Sequence, residues 1–329
     1  MRIAVDAMGG DHAPEQAVQG AILAAKENPD IEILLVGKEQ AIQSYLSEEL
    51  KNIHIVHCEE VIGTDEEPVK AVRQKKDSSL VRVTRMVKDG EVDACISAGN
   101  TGAYMTAGLL VAGRLKGIER PALTILLPNA KGKATVVLDV GANVDAKPEH
   151  LAQYALMGSI YAEKVLGYSS PTVGLLSVGT EEAKGNDLTK KAFPLIKATS
   201  VNFVGNVEGR DVPYGVVDVV VCDGFSGNVL LKVTEGVVGT IFSMLKKEFT
   251  SDFRSKIGAL LLKPGLVKFK KQMDYSEYGG APLLGLNGAC IKAHGSSNAV
   301  AFKNAIGQAK RFIQLDVNER IKSDLQVNE

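Results

Sequence analysis

Short, continuous runs of apolar residues, rich in Val, Ile and Leu, recur along the chain, and most lead through a glycine turn into a helical pattern. Residues 2–6 form the first run, and Pro14 suits the first turn of the helix that follows. That helix carries apolar residues on one face: Ala17, Val18, Ala21, Ile22 and Ala25. Further runs occupy residues 31–37, 52–58, 92–97, 134–140, 172–179, 202–205 and 216–222, and a long helical stretch covers residues 299–322.

These runs are continuous rather than alternating, which is typical of strands that are buried on both faces. The pattern therefore predicts an α/β fold, with helices covering both sides of a largely parallel sheet. The sequence contains no polar linker, low-complexity tract or repeat that would divide it. We expect residues 1–329 to form a single domain.

Residues 245–273 differ, because large apolar side chains stand there among lysines. The apolar positions are Phe253, Ile257, Leu260, Leu261, Leu266 and Val267, the last two beyond Pro264. The flanking lysines are Lys256, Lys263, Lys268, Lys270 and Lys271. We predict a protruding, amphipathic and basic helical hairpin. Such a hairpin suits an anionic membrane surface, but it equally suits a dimer interface or a core helix.

Composition and charge argue against a nucleic-acid-binding, a secreted or a membrane-spanning protein. The 329 residues are 45% hydrophobic and carry a formal net charge of −1, so no overall attraction to nucleic acid is expected. The four cysteines are far apart, which indicates reduced, buried thiols. Asp6 interrupts any secretory signal, and no uncharged run reaches the about 20 residues of a spanning helix. These features predict a cytoplasmic protein.

Glycine–asparagine pairs recur after the predicted strands. They are Gly99-Asn100, Gly185-Asn186, Gly205-Asn206 and Gly227-Asn228, with Gly141-Ala142-Asn143 as a near variant. Ligands of open α/β sheets bind outside the carboxyl ends of strands, and amides at a helix N-terminus hold anions. We therefore expect a shared site for a phosphate-like anion, with Thr101 and Gly102 in it because they open an apolar helix. The pairs match neither a P-loop nor a dinucleotide fingerprint.

Charged side chains near these turns are candidates for the chemistry. Lys184 lies in a loop between a predicted strand and helix, where it either faces the anion or is a solvated surface lysine. Arg210 and His294 have a similar claim. Asp6 and Asp11 could bind a cation, although loop hydrogen bonding and helix capping explain them as well. The histidines lack zinc spacing, so we predict no metal and no cofactor.

Nine motifs in order resemble the bacterial phosphate acyltransferase (PlsX) family, from residue 1 to about residue 305. They are MGGDHAP (8–14), SAGNTGA (97–103), ERPA (119–122), DVGAN (139–143), GTEEAKGN (179–186), GNVEGRD (205–211), CDGFSGN (222–228), EYGGAPLLG (277–285) and HGSSNA (294–299). The resemblance implies a three-layer α/β/α sandwich with a largely parallel, mixed sheet, shared with phosphotransacetylases and isocitrate dehydrogenases.

The resemblance also implies an activity: transfer of a long-chain acyl group from acyl-acyl carrier protein to inorganic phosphate, giving acyl phosphate for phospholipid synthesis. It implies a homodimer at the inner face of the cell membrane, close to a downstream glycerol-3-phosphate acyltransferase. Phosphate is itself a nucleophile, so no general base is required, but the thioester oxygen needs donors.

The predicted site residues fall into three groups. The catalytic candidates are Lys184, Asn186, Asn228 and His294. The predicted phosphate ligands are Gly99, Asn100, Thr101, Gly102, Gly141 and Asn143. The motifs add Asp6, Gly9, Gly10, Asp11, Arg210, Asp223 and Ser226 as further candidates.

Three other functions are open at this stage. A phosphotransacetylase acting on short acyl-CoA is the main alternative. A hydroxyacid dehydrogenase of related fold comes third, since a ribose-binding acid after a glycine fingerprint is not evident. A membrane-associated scaffold for the next acyltransferase is the non-enzymatic alternative.

Overall fold

The computed structural model describes residues 1–273 and 279–327, so Glu277 and Tyr278 of the motif at 277–285 lie outside the described residues. These residues build an eleven-stranded sheet. The strands are β1 (Arg2–Asp6), β2 (Glu32–Gly37), β3 (Ile53–His57), β4 (Ala94–Ser97), β5 (Ala122–Pro128), β6 (Ala134–Leu138), β7 (Thr172–Ser177), β8 (Asn202–Glu208), β9 (Val219–Val221), β10 (Ala281–Leu284) and β11 (Ala289–Lys292).

Helices cover both faces of the sheet. They are α1 (Glu15–Glu27), α2 (Glu39–Gln43), α3 (Pro68–Gln74), α4 (Ser79–Lys88), α5 (Thr101–Ala107), α6 (Pro148–Leu166), α7 (Asp187–Lys197), α8 (Gly224–Phe249), α9 (Phe253–Met273), α10 (Ala299–Gln314) and α11 (Val317–Val327). A π-helical turn, Gly108–Ala112, extends α5, and a 3₁₀ turn, Gly209–Tyr214, follows β8. The predicted α/β/α layering is confirmed.

Each face of the sheet has its own apolar core. Helices α1, α6, α10 and α11 pack on one face, where Tyr154, Tyr161 and Phe302 are buried. Helices α3, α4 and α5 pack on the other face, around Leu80 and Tyr104. The start of α8 joins this second face, because Leu230 and Leu231 contact its core. The inner strands are therefore buried on both sides, as their continuous apolar runs predicted, whereas the edge strands β3 and β8 are only partly buried.

The strand order is β3-β2-β1-β4-β11-β10-β5-β6-β9-β7-β8. β3, β2, β1, β4 and β11 are mutually parallel, and so are β6, β9, β7 and β8. Between these groups, β10 is antiparallel to β11 and to β5, and β5 is antiparallel to β6. The two parallel groups therefore run in opposite directions. The expectation that all glycine–asparagine turns share one edge of the sheet is wrong.

Two of the predicted turns are not turns. Gly205 and Asn206 lie inside β8, which continues to Glu208 while it pairs with β7 across a register shift at Val173 and Gly174. Gly227 and Asn228 lie in the first turn of α8 rather than before it. Pairing with β7 keeps Gly205 and Asn206 extended. Because α8 is capped earlier, at Asp223, Gly227 and Asn228 are helical.

The hairpin is longer than predicted. Its arms are α8 and α9, which meet at residues 250–252, and the first arm begins at Gly224 rather than near residue 245. Phe242 of α8 packs on Phe269 of α9 with ring centroids 5.8 Å apart. Within the described residues, α8 is the one helix long and apolar enough to cross a membrane by length and composition, and its apolar stretch is not buried. α8 contains Lys232 and Glu235, so it is not an uncharged run of the kind that the sequence analysis looked for.

Candidate functional site

A cavity of about 350 Å³ lies on the sheet face that carries α5 and α8, at the junction of the two parallel groups. Its polar lining includes Thr101, Gly102, Asn228, Lys292 and His294. Its apolar wall is formed by Leu123, Ile125, Leu126, Val140 and Leu231. The cavity thus joins a polar end, supplied by loops after β4 and β11, to an apolar wall over β5.

The predicted anion loop at residues 99–102 forms the N-terminus of α5. Asn100 caps this helix, because its Oδ1 accepts from the Ala103 amide at 3.0 Å. Its Nδ2 donates to the carbonyl oxygens of Thr64 and Glu66. The Gly99 amide donates to Ser97 Oγ at 3.0 Å. Gly99 and Asn100 are therefore engaged in shaping the loop, whereas Thr101 and Gly102, the first two residues of α5, line the cavity.

Asp6 anchors this loop from below, at the end of β1. Its carboxylate accepts hydrogen bonds from Ser97 Oγ at 2.6 Å and from the Met8 amide at 3.1 Å. Burial raises the pKa of Asp6, while hydrogen bonds from Ser79 and Ser97 and the charge of Lys292 oppose that shift. A Cβ at Gly9 would lie 2.6 Å from both Asp6 Oδ2 and the Gly99 nitrogen, which explains the glycine. Asp6 and Gly9 therefore set the geometry of the anion loop.

Gly10 and Asp11 connect the first loop to the loop after β11. Gly10 has a φ of +107°, a conformation that favours glycine. The Asp11 amide donates to the Gly295 carbonyl at 2.8 Å. In the same loop, His294 Nδ1 lies 2.8 Å from Ser296 Oγ. These contacts hold His294 at the mouth of the cavity, where its side chain is exposed.

Lys292, which the sequence did not single out, lies at the carboxyl end of β11. Only 8% of this residue is exposed, and its ammonium donates to the carbonyl oxygen of Ala293. Burial lowers the pKa of Lys292 to about 8, against the favourable charges of Asp6 and Asp11. Lys292 could have been found from the sequence, because it lies at the end of the short apolar run at 289–293, which we did not identify as a strand.

Asp139 controls the loop after β6. Its carboxylate accepts from the amides of Gly141 at 3.1 Å, Ala142 at 2.9 Å and Asn143 at 2.6 Å, and also from the Leu123 amide. Burial raises its pKa, while these hydrogen bonds lower it. The amides of Gly141 and Asn143 thus point at Asp139, and the expectation that they are free to hold an anion is wrong for this structure.

Asp223 and Ser226 cap α8 rather than line the cavity. Asp223 Oδ1 accepts from the Ser226 amide at 2.9 Å, and Ser226 Oγ donates to Asp223 Oδ2 at 2.7 Å. A Cβ at Gly227 would lie 1.9 Å from the Asp139 carbonyl oxygen, so only glycine allows this close approach. The close contact brings the next residue, Asn228, to the cavity wall.

Three other candidates lie away from this cavity. Lys184 is exposed in the loop after β7, and Asn186 caps α7 by accepting from the Thr189 amide at 2.9 Å. Arg210 is exposed and pairs with Glu208. β7 and β8 end the sheet on the side away from β1 and β4, so these residues do not line the cavity. The catalytic roles of Lys184 and Asn186, and the place of Arg210 in the site, stay predictions.

The described residues contain no cluster of three or more His, Cys, Asp or Glu side chains that could hold a metal ion. All four cysteines are buried, as predicted. Burial raises the pKa of Cys58 to about 12 and that of Cys222 well above its usual range, so neither thiol is poised as a nucleophile.

Sequence comparisons agree over almost the whole chain. A family model described as "Fatty acid synthesis protein" matches residues 1–320. A phosphate acyltransferase from Brevibacillus brevis is 65% identical over 329 residues, covering 100% of this chain and 98% of that protein. A phosphate acyltransferase from Geobacillus thermodenitrificans is 57% identical over 326 residues, covering 99% of each.

Solved structures with a similar fold are more distant in sequence. A phosphotransacetylase from Streptococcus pyogenes aligns with a TM-score of 0.65 at 18% identity, covering 95% of this chain and 94% of that one. A branched-chain phosphotransacylase from Enterococcus faecalis aligns with a TM-score of 0.57 at 15% identity, covering 96% and 99%. These similarities show that the fold is the one predicted.

Proposed function

The chain belongs to the phosphate acyltransferase family, and we propose that it transfers a long-chain acyl group from acyl-acyl carrier protein to inorganic phosphate. As a member of that family it is an acyltransferase enzyme. The observation that carries the finer proposal is the two-sided cavity. Its polar end offers helix amides, Asn228 and Lys292, whereas its other wall is apolar. A phosphate fits the first and an acyl chain fits the second.

The chemistry needs few groups from the protein. A phosphate oxygen attacks the thioester carbonyl carbon, a C–O bond forms, and the C–S bond breaks. The products are acyl phosphate and the carrier thiolate, which takes a proton from water. Negative charge grows on the carbonyl oxygen during attack, so donors aimed at that oxygen lower the barrier. Asn228, at the cavity wall, is our first candidate for this donor, and Lys184 and His294 follow it.

A phosphotransacetylase acting on short acyl-CoA is not favoured. The resemblance to phosphotransacetylases is one of fold at 15–18% identity, whereas the phosphate acyltransferases are 57–65% identical over the whole chain. Short acyl-CoA and its acyl phosphate product are water-soluble, so an enzyme that acts on them does not need a hairpin with an exposed apolar tip.

We also propose a homodimer formed through α8. Its exposed side chains include an apolar stripe at nearly regular four-residue spacing: Val229, Val233, Val237, Ile241 and Met244. A stripe of this kind is self-complementary in a two-fold dimer. The start of α8 is fixed on the sheet by the buried residues Gly224 and Gly227. Burial of the stripe against a second copy therefore explains its composition better than insertion across a bilayer.

We further propose that the tip of the hairpin docks on the inner face of the cell membrane. Phe253 and Leu261 are 76% and 77% exposed, and the same helix carries Lys256 and Lys263 at its groove with α8. Apolar side chains among lysines suit a surface of anionic lipid. The acyl phosphate product is an amphiphile, so docking would deliver it to a glycerol-3-phosphate acyltransferase in the bilayer without release into water. The protein would then be cytoplasmic and peripherally bound.

A substrate panel tests the activity. The protein is incubated with phosphate and either palmitoyl-acyl carrier protein or acetyl-CoA, and acyl phosphate is trapped with hydroxylamine as the hydroxamate. We expect phosphate-dependent product from the carrier-protein donor and little from acetyl-CoA. Preferred use of acetyl-CoA would support the phosphotransacetylase alternative, and no turnover of either donor would support a scaffold.

A further inference from the structure

Lys292 lies in the lining of the cavity, at the end of a central strand of the sheet. It is the last residue of β11 and pairs in register with Ser97, the last residue of β4. α5 begins four residues after Ser97, and its first residues, Thr101 and Gly102, line the same cavity as Lys292. Two neighbouring parallel strands thus present a cation and a helix N-terminus to one space.

The buried neighbours of Lys292 are already satisfied by other groups. Asp6 Oδ2 accepts from Ser97 and Asp6 Oδ1 accepts from the Met8 amide. An ammonium has three N–H donors, and the hydrogen bond that the structure gives Lys292, to the Ala293 carbonyl, uses one of them. Lys292 itself lines the cavity. Since a buried ammonium is costly without a partner, this placement calls for an anion in the cavity.

We propose that Lys292 binds the phosphate co-substrate at the polar end of the cavity, with Asp6 as the positioning residue that holds the ammonium in its charged form. The inference rests on the proposed function, because it assigns a ligand of that same site. Lys292 would contact the dianion directly, from the side opposite the apolar wall that we assign to the acyl chain. Asp6 acts through Lys292 and through the loop at Gly99 and need not touch the substrate.

The test uses calorimetry to measure the equilibrium binding of inorganic phosphate to the full-length protein, with no acyl donor present. Lys292→Met keeps the length of the side chain and removes its charge. We expect it to weaken phosphate binding roughly 10- to 100-fold, the range for loss of a charged hydrogen-bond partner. Lys292→Arg should recover part of that loss. Lys310→Met is the matched control, because Lys310 is half-buried and pairs with Asp30 on the outer face.

Steady-state kinetics provide the second readout. Lys292→Met should raise the KM for phosphate by a similar factor and leave the KM for the acyl donor within about two-fold, which a general loss of structure would not do. Wild-type phosphate affinity in both Lys292→Met and the control overturns the proposal while leaving the acyltransferase activity intact. If the wild type binds phosphate but transfers no acyl group, the proposed function fails, and the binding comparison still decides the role of Lys292.

Discussion

The hydroxyl of Ser97 lies 2.6 Å from Oδ2 of Asp6, and both residues are buried at the carboxyl ends of paired strands. This hydrogen bond joins β1 to β4 directly beneath the glycine loop that opens α5. It also keeps a carboxylate near Lys292, whose charged form that carboxylate favours. The anion loop, the acid and the lysine therefore form one unit that depends on three strands.

The first prediction concerns stability. Burial lowers the pKa of Lys292 from 10.5 to about 8, so between these values the unfolded chain binds a proton that the folded chain does not. The resulting cost is fully present below pH 8 and disappears as the pH rises toward 10.5. Lys292→Met should therefore raise the free energy of unfolding at pH 7 by at most about 3 kcal/mol, and by less at pH 10. Urea denaturation at both pH values measures this. A variant less stable than wild type at pH 7 would contradict it.

The second prediction concerns the pH dependence of phosphate binding. Lys292 is charged below about pH 8, so the KM for phosphate should increase as the pH rises through that value. Asp6 and Asp11 are the acids that favour its charge, and His294 lines the same cavity. Asp6→Asn removes one charge and should move the increase to lower pH, with a smaller move for Asp11→Asn. A profile unchanged in Asp6→Asn would exclude Asp6 as the positioning residue.

The third prediction concerns the α5 amides. A Cβ at Gly102 would lie 2.6 Å from Pro68 Cγ, so bulky variants there would displace α3 rather than probe phosphate. Thr101→Pro is a cleaner change, because proline is tolerated at the first helical position while it removes the N–H. We expect the KM for phosphate to rise roughly 10-fold, as for loss of one donor to a charged group. Thr101→Ala keeps the amide and is the control. Equal effects in the two variants would assign the role to the hydroxyl instead.

The fourth prediction concerns the oxyanion donor. Asn228→Leu keeps the approximate size of the side chain, loses its N–H donors and adds no charge, and we expect kcat to fall roughly 10²–10³-fold with little change in the KM for phosphate. Lys184→Met is measured beside it. Lys184 is exposed outside the cavity in the free protein, so a comparable loss would require its loop to close over the bound thioester. An unchanged kcat for Lys184→Met would show that Lys184 is a solvated surface lysine with no catalytic role.

The fifth prediction concerns the membrane. Leu260 lines the groove between α8 and α9, whereas Phe253 and Leu261 do not, so a change at Leu260 would disturb the hairpin itself. Phe253→Glu with Leu261→Glu should release the protein from anionic vesicles, since each buried large side chain contributes about 1.5–3 kcal/mol. Turnover in solution and the oligomeric state should stay near wild type.

The control for the membrane prediction is Phe253→Leu with Leu261→Met, which preserves apolar character. Sedimentation with vesicles gives the bound fraction of each variant. Retention of the glutamate variant on vesicles would mean that another surface docks. Loss of the dimer in that variant would mean that the tip serves assembly.

Much of the fold could be predicted from local pattern. Continuous Val, Ile and Leu runs identified β1 to β4 and β6 to β9, because a strand buried on both faces has to be apolar throughout. β5, β10 and β11 were missed. β10 and β11 are four residues each and lie in a glycine-rich stretch, where periodicity is too short to read. Nine motifs also indicated the family, which the comparisons confirm.

The candidate site was predicted only in part. Thr101, Gly102, Gly141, Asn228 and His294 line the cavity, whereas their roles in phosphate binding and catalysis stay predictions. The sequence does not reveal that the amides after β6 point at Asp139. An acid in a loop motif is equally compatible with binding a ligand and with accepting hydrogen bonds from its own loop. Nor does it reveal the burial of Lys292, since burial depends on the neighbours that a residue acquires on folding.

The sequence by itself determined the repeating strand–turn–helix units, the apolar hairpin and the family, because these are properties of neighbouring residues along the chain. Only the tertiary structure decided which turns meet. Ala122 of β5 pairs with Leu284 of β10, and β11 pairs with β4, through contacts between residues more than 150 positions apart. Together with the antiparallel hairpins β5–β6 and β10–β11, the pairing of β5 with β10 reverses the strand direction at the centre of the sheet. The long-range pairings bring Lys292 close to α5, the helix after β4, and leave Lys184 near the opposite edge of the sheet. The sequence does not show this, because the direction of a strand depends on which strands it pairs with, and the residues of one strand do not identify its partners.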